Sequence, residues 1–176
     1  LLDRARDAIR AALDGFGQSP ERYGLTHGDF LPENLLREGD TVRIIDFDDC
    51  GFGWHVMDVA TSLLFLLGEP QYEDAYAGFV DGYRTARALP DAHLQMLPVF
   101  LLARAMTYVG WCGSRPEAPI AQEKGPIIVG ATLALARDLF NETVRALKAI
   151  APPATRFRAV SAMTLSVVMV SPKEMP

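Results

Sequence analysis

His27-Gly28-Asp29-Phe30-Leu31-Pro32-Glu33-Asn34, followed by Ile44-Ile45-Asp46-Phe47-Asp48, is the stretch on which the reading of this chain turns. Asn34 lies five residues after Asp29, and Asp46 lies twelve after Asn34. Pro32 prevents a regular helix through the first segment. Residues 35–37 and 42–46 are short apolar runs around Glu38-Gly39-Asp40, which predicts a β-hairpin. Such a hairpin would hold Asn34 and Asp46 side by side at one mouth, which sequence spacing alone would not do.

Working outward, residues 23–27 read as a short strand before this loop. Residues 1–13 carry apolar side chains at Leu2, Ala5, Ile9, Ala12 and Leu13, a helical stripe that stops at Gly15-Phe16-Gly17. The chain opens inside that pattern without a capping residue, so sequence upstream is expected to be missing. After the hairpin, residues 48–54 read as a loop with Gly51 and Gly53. Residues 56–67 are strongly apolar and predict a buried helix. Residues 72–86 place Tyr72, Ala75, Tyr76, Phe79, Val80 and Tyr83 on one helical face. Pro90 can start the next helix, which runs to about residue 111 with Leu94, Leu97, Leu101, Leu102 and Ala105 buried. Pro98 should kink or divide it. Pro116 and Pro119 mark a loop, and a last helix is expected over about 127–150. Residues 151–176 read first as an irregular or flexible tail and second as a late strand.

Composition bounds the possibilities. The chain has 176 residues, 49% of them apolar, enough for one sizeable core. A net charge of −5 argues against a nucleic-acid partner, whose phosphates call for a basic face. It suits a site for Mg²⁺ or cationic substrates, but it is also ordinary for a soluble domain. Cys50 and Cys112 have no zinc-ligand spacing and read as reduced thiols of a cytosolic protein. Residues 159–170, the longest weakly polar run, fall short of the roughly 20 apolar residues a membrane helix needs. No secretory pattern opens the chain. The expectation is a cytoplasmic protein with no membrane and no nucleic-acid polymer among its partners.

The residues quoted first support a definite chemistry. The Asp29-to-Asn34 interval is that of the kinase catalytic loop H-R-D-x-x-x-x-N, and a second Asp then follows on an apolar strand. Phosphoryl transfer needs positioning and charge neutralisation more than covalent chemistry. Asp29 could accept the proton of an attacking hydroxyl. Asp46 and Asn34 could offer Mg²⁺ the hard oxygen ligands it requires. Taken singly, each has a plainer role: Asp29 and Asn34 as turn residues, Asp46 as a cap or surface carboxylate. The shared spacing and the hairpin favour catalysis. His27 is expected to brace the loop by a hydrogen bond, and Gly28 to let the backbone pass close beside Asp29. Asp58 could cap a helix or brace the loop. Asp48 and Asp49 could assist binding or be solvated. His55 and His93 carry no assignable role.

Residues 27–36, then 44–53, then Asp58-Val59-Ala60, together resemble the aminoglycoside phosphotransferase and choline kinase-like superfamily. The likeness is greatest to its homoserine kinase-like and stress-response kinase-like branch. It covers residues 1–150, the part corresponding to the C-terminal lobe. The resemblance implies an α+β, mostly helical, protein-kinase-like lobe with a small β-hairpin carrying the site. It implies Asp29 as catalytic base, Asn34 and Asp46 as magnesium ligands, Asp58 as a structural Asp, ATP as donor and a small-molecule hydroxyl as acceptor. Gly28 replaces the Arg of protein kinases, Asp48 stands where their DFG motif has Gly, and no A-P-E follows Asp46. These departures favour a small-molecule kinase. The family's N-lobe is expected to be absent, so this chain alone should have weak or no activity. The competing expectation is a non-catalytic lobe acting in association with itself or a missing N-lobe; a metal-dependent hydrolase is weaker, because clustered His ligands are lacking.

Overall fold

The structure, a computed structural model, describes the backbone of residues 1–146 and the side chains of residues 1–139. The tail expected over 151–176 lies outside the described residues. The described part is α+β and mostly helical, with two small antiparallel ribbons.

Helix α1 (Leu2–Phe16) buries Ala5, Ile9 and Phe16, a spacing of four and then seven residues that keeps one face inward. It ends at Gly17, whose φ of 74° is a left-handed exit that glycine adopts without strain. Strand β1 (Tyr23–Thr26) leads into the quoted loop, which makes one 3-10 turn over Pro32–Asn34. Strands β2 (Leu35–Glu38) and β3 (Thr41–Ile44) then form the expected hairpin, with Leu35 opposite Ile44 and Glu38 opposite Thr41. Gly39, at φ 60°, takes the tight turn.

The expected loop over 48–54 is corrected. Gly51–Trp54 is a strand, β4, paired antiparallel with β1 from Tyr23–Trp54 to Thr26–Gly51. Its Gly-Phe-Gly-Trp sequence has weak strand propensity, and its partner lies upstream in the chain, from Thr26 opposite Gly51 to Tyr23 opposite Trp54. The strand exists because the ladder supplies hydrogen bonds that local preference does not. The glycines are used: the Thr26 hydroxyl oxygen sits 3.1 Å from where a Cβ on Gly53 would stand, and that hydroxyl donates to the Gly51 carbonyl at 3.0 Å. Tyr23 packs edge-on against Trp54 at 5.3 Å.

Helix α2 (His55–Leu63) follows directly and is buried as expected, but it ends four residues early, giving way to a 3-10 turn over Leu64–Leu66. Helix α3 (Tyr72–Ala86) has the expected bounds, with Val80 buried and its tyrosines and Phe79 packed on the core's edge. Residues 90–111 are divided, as Pro98 suggested. A single turn, α4 (Asp91–Leu94), is followed by α5 (Leu97–Ser114), and Pro98 falls in the first turn of α5, where its missing N–H has no helical partner to lose. Helix α6 (Pro119–Ala146) begins eight residues before the expected 127 and continues through Pro126. Gln122, whose carbonyl loses its helical donor at Pro126, is exposed, so water can replace the bond.

The core is centred on α2 and α5, with α1 and α6 laid across α5. Phe100 on α5 is wholly buried and meets Phe16 at 6.0 Å and Trp54 at 6.1 Å, which ties α1, β4 and α5 together. Among the described residues no helix is long and apolar enough to cross a membrane.

Two predictions concern this core. Phe100→Ala should lower unfolding free energy in urea by about 3–5 kcal/mol, the usual cost of deleting a buried aromatic ring. His55 and His93 are both buried, and both titrate below the ordinary histidine range, chiefly because burial penalises the charged ring; nearby Arg87 acts in the same sense on His55, and Arg22 on His93. The unfolded chain therefore binds protons that the folded one resists. Their contribution to stability is complete above the unfolded value of about 6.5 and is lost as pH falls below it. The melting temperature should fall between pH 7.5 and pH 5.5, and the double substitution His55→Gln, His93→Gln should flatten that fall.

Candidate active site

The quoted loop is held from below by helix α2. Asp58, in the first turn of α2, makes no cap; its carboxylate reaches the loop instead. Oδ2 accepts the His27 N–H at 2.8 Å and Oδ1 accepts the Gly28 N–H at 3.0 Å. Both are charge-assisted bonds, each about 1.5–3 kcal/mol. Ser62, one turn further along α2, donates to the Phe30 carbonyl at 2.7 Å. Phe30 in turn meets Phe79 of α3 edge-on at 5.8 Å.

His27 is buried and bonded at both ring nitrogens. Its Nδ1 accepts the Asp29 N–H at 3.3 Å, so Nε2 carries the proton and donates to the Ile45 carbonyl at 2.9 Å. The ring also packs between Phe30 at 5.5 Å and Phe47 at 4.7 Å. His27 thus fastens the loop bearing Asp29 to the segment bearing Asp46. Gly28, at φ 85°, passes so close to Asp49 that any Cβ would collide with the Asp49 carbonyl. Glycine is required there by both conformation and space.

Asn34 is buried and ties the loop back on itself. Its Nδ2 donates to the Asp29 carbonyl at 2.8 Å and lies 3.4 Å from Asp29 Oδ2. Its backbone carbonyl accepts the Ile45 N–H at 3.0 Å, continuing the β2–β3 ladder by one rung. Asp46 therefore follows directly on a residue bonded to Asn34, at the same end of the ribbon. Asp46 is exposed and has φ 62°, making it the one non-glycine residue in the left-handed region among the described residues. Such backbone strain persists only where the surroundings impose it, and it gathers at functional sites. Asp48 and Asp49 are exposed on the following turn.

Two site residues were not found from the sequence. Arg104 of α5 forms an ion pair with Asp29 Oδ1, and the same guanidinium nitrogen lies 3.2 Å from the Tyr108 hydroxyl. The guanidinium carbon stands 4.7 Å over the Tyr108 ring. Burial raises the Tyr108 hydroxyl above its ordinary pKa, so it stays protonated at neutral pH. The signal was present: Arg104 interrupts the apolar run Leu101-Leu102-Ala103 and Ala105-Met106, and a charge on a core-facing helix calls for a partner. What could not be read was that the partner lay 75 residues away.

Among the described residues no three His, Cys, Asp or Glu side chains gather as a ready-made metal site. Asn34 and Asp46 offer two hard oxygens, the sort of partial set that Mg²⁺ accepts when waters and phosphates supply the rest.

Comparisons with known proteins bear on the family and the fold. Residues 1–94 match the model of the phosphotransferase enzyme family. Amicoumacin kinase of Bacillus subtilis strain 168 is 31% identical over 147 residues, which cover 78% of this chain and 43% of that protein. A solved microcompartment-associated aminopropanol kinase superposes with a TM-score of 0.71 at 35% identity, over 80% of this chain and 45% of that one. An amicoumacin kinase solved with AMP-PNP, Ca²⁺ and Ami shares the fold, with a TM-score of 0.61 at 24% identity over 76% of this chain and 43% of that one. The chain thus spans under half the length of the relatives it matches. With its ordered Asp29, Asn34 and Asp46 segments on that shared fold, the chain belongs to the phosphotransferase enzyme family, within the aminoglycoside phosphotransferase and choline kinase-like superfamily.

Proposed function

We propose that this chain is the lobe of a small-molecule kinase that carries the catalytic base and the metal ligands. The observation that carries the reading is the joining of Asp29 to Asn34 by the Asn34 amide, with Asp46 held at the same end of the ribbon. Asp29 is the base: its carboxylate accepts the proton of the acceptor hydroxyl as the new O–P bond forms and the bond to the donor's bridging oxygen breaks. Asn34 commits its amide nitrogen to the Asp29 carbonyl, which leaves Oδ1 for a metal, and exposed Asp46 adds a carboxylate. Mg²⁺ held there would neutralise the phosphates of ATP. His27, Gly28 and Asp58 keep the loop in the shape this requires.

The acceptor is read as a small molecule with a free hydroxyl, in keeping with relatives named for amicoumacin and aminopropanol. This chain spans under half the length of those relatives, and alone it should turn over weakly or not at all. In the full-length protein, Mg·ATP should be consumed only with divalent metal present. Asp29→Ala should lower kcat by about 10²–10⁴-fold, the range for losing a general base. Asp46→Asn should abolish Mg²⁺-dependent nucleotide binding measured by calorimetry. Retention of both properties in the two variants would exclude this assignment.

One observation favours a second reading, association through the ribbons. Leu25 and Phe52, paired across the β1–β4 ladder, are 69% and 76% exposed, and Leu36, Val42, Ile44 and Phe47 are exposed on and just after the β2–β3 ribbon. Apolar patches of this kind mark binding faces. Sizing chromatography of the chain should then show a self-associated species that charged substitutions at Leu25 and Phe52 dissociate.

A further inference from the structure

The Asp29 backbone is well anchored, but its side chain has two rotatable bonds and few restraints. The Asn34 amide reaches Oδ2 only at 3.4 Å. The close restraint is Arg104, whose guanidinium pairs with Oδ1. Arg104 is itself fixed. It projects from α5, one of the two central helices, and lies against Tyr108 one turn on; Tyr108 packs on Phe65 at 5.1 Å. The pair is mostly shielded, with side-chain exposures of 14% for Arg104 and 25% for Asp29. A pair this sheltered is weakly screened and holds its geometry better than a surface pair.

Stability alone does not account for this arrangement. The Arg104 Nε is buried with no partner, a cost that an apolar side chain of similar length would not carry. A charge retained in the core at that cost suggests a use beyond folding. Resting on the reading of Asp29 as the base, we infer that Arg104 is a positioning residue: it clamps Oδ1 and so turns Oδ2 toward the place the acceptor hydroxyl must occupy. Tyr108 keeps the clamp in register. The consequence is a base whose carboxylate is oriented before the acceptor arrives, which is where much of the rate of phosphoryl transfer originates.

The test uses full-length protein, Mg·ATP, and two acceptor probes, aminopropanol and water. Arg104→Met should lower kcat by about tenfold or more while KM for Mg·ATP stays within about twofold, because the clamp touches the base and not the nucleotide. The melting temperature is recorded beside kcat, because removing one partner of a sheltered pair leaves the Asp29 charge uncompensated and lowers stability as well. Arg104→Lys should recover part of kcat, as a point charge without the guanidinium fork. A kcat for Arg104→Met within about twofold of wild type would overturn the inference, as would a loss of kcat matched by an equal loss of folded protein. If the unmodified protein turns over neither probe, the choice of aminopropanol as acceptor is what fails. The crystal structure of Arg104→Met then decides the clamp: an Asp29 carboxylate rotated from its place supports it, and one that stays put refutes it.

Discussion

Both oxygens of the Asp58 carboxylate are taken by backbone N–H groups of His27 and Gly28, and the shape of the site depends on that contact. A loop that turns through a left-handed glycine leaves amide groups pointing away from any ladder, and buried amides must find acceptors. Asp58 supplies them from the first turn of a helix whose other side is buried among Val56, Val59 and Leu63. The carboxylate is therefore carried by one of the two helices at the centre of the core. The packing of that helix fixes the loop, and with it the position of Asp29. Helix, strand and loop share one charge, so the core and the site are not separable in energetic terms.

A second constraint closes the site from above. The His27 ring joins the Asp29 N–H to the Ile45 carbonyl, and the Asn34 carbonyl takes the Ile45 N–H. Two independent bonds thus converge on Ile45, and Asp46 follows in a conformation that L-residues rarely adopt. The β1–β4 ladder brings the next segment back beside β1, so the Asp49 carbonyl sits against Gly28. Helix α5 adds the last wall through Arg104, whose charge is balanced by Asp29 itself. Three elements distant in sequence meet around one carboxylate, which suits a reaction governed by position and electrostatics.

Much of the fold could be read from the sequence where structure follows local rules. The β2–β3 hairpin was visible because its turn residues and apolar runs are adjacent. Helix α3 was visible because its aromatic residues repeat at the helical period, and the break near Pro98 because proline lacks an N–H. Strand β4 was not, since Gly51 and Gly53 argue against a strand and its partner is β1. The start of α6 was misplaced because Pro119 and Pro126 both look like breaks, although one opens the helix and the other lies on a solvent-facing turn. The separate functional candidates Asp29, Asn34 and Asp46 were found by their spacing, whereas Arg104 and Tyr108 were passed over as part of an apolar helix.

The sequence by itself determined the family, the mostly helical α+β class and the candidates Asp29, Asn34 and Asp46, because intervals such as Asp29 to Asn34 survive in the linear chain. Only the tertiary structure decided how those residues are held: that Asp58 bonds the loop rather than capping its helix, that Asp46 is left-handed, and that Arg104 faces Asp29. The physical reason is that each of these rests on hydrogen bonds or charges paired across 18 to 75 residues. Local propensity carries no information about which distant groups will meet; packing of α2 against α5 does.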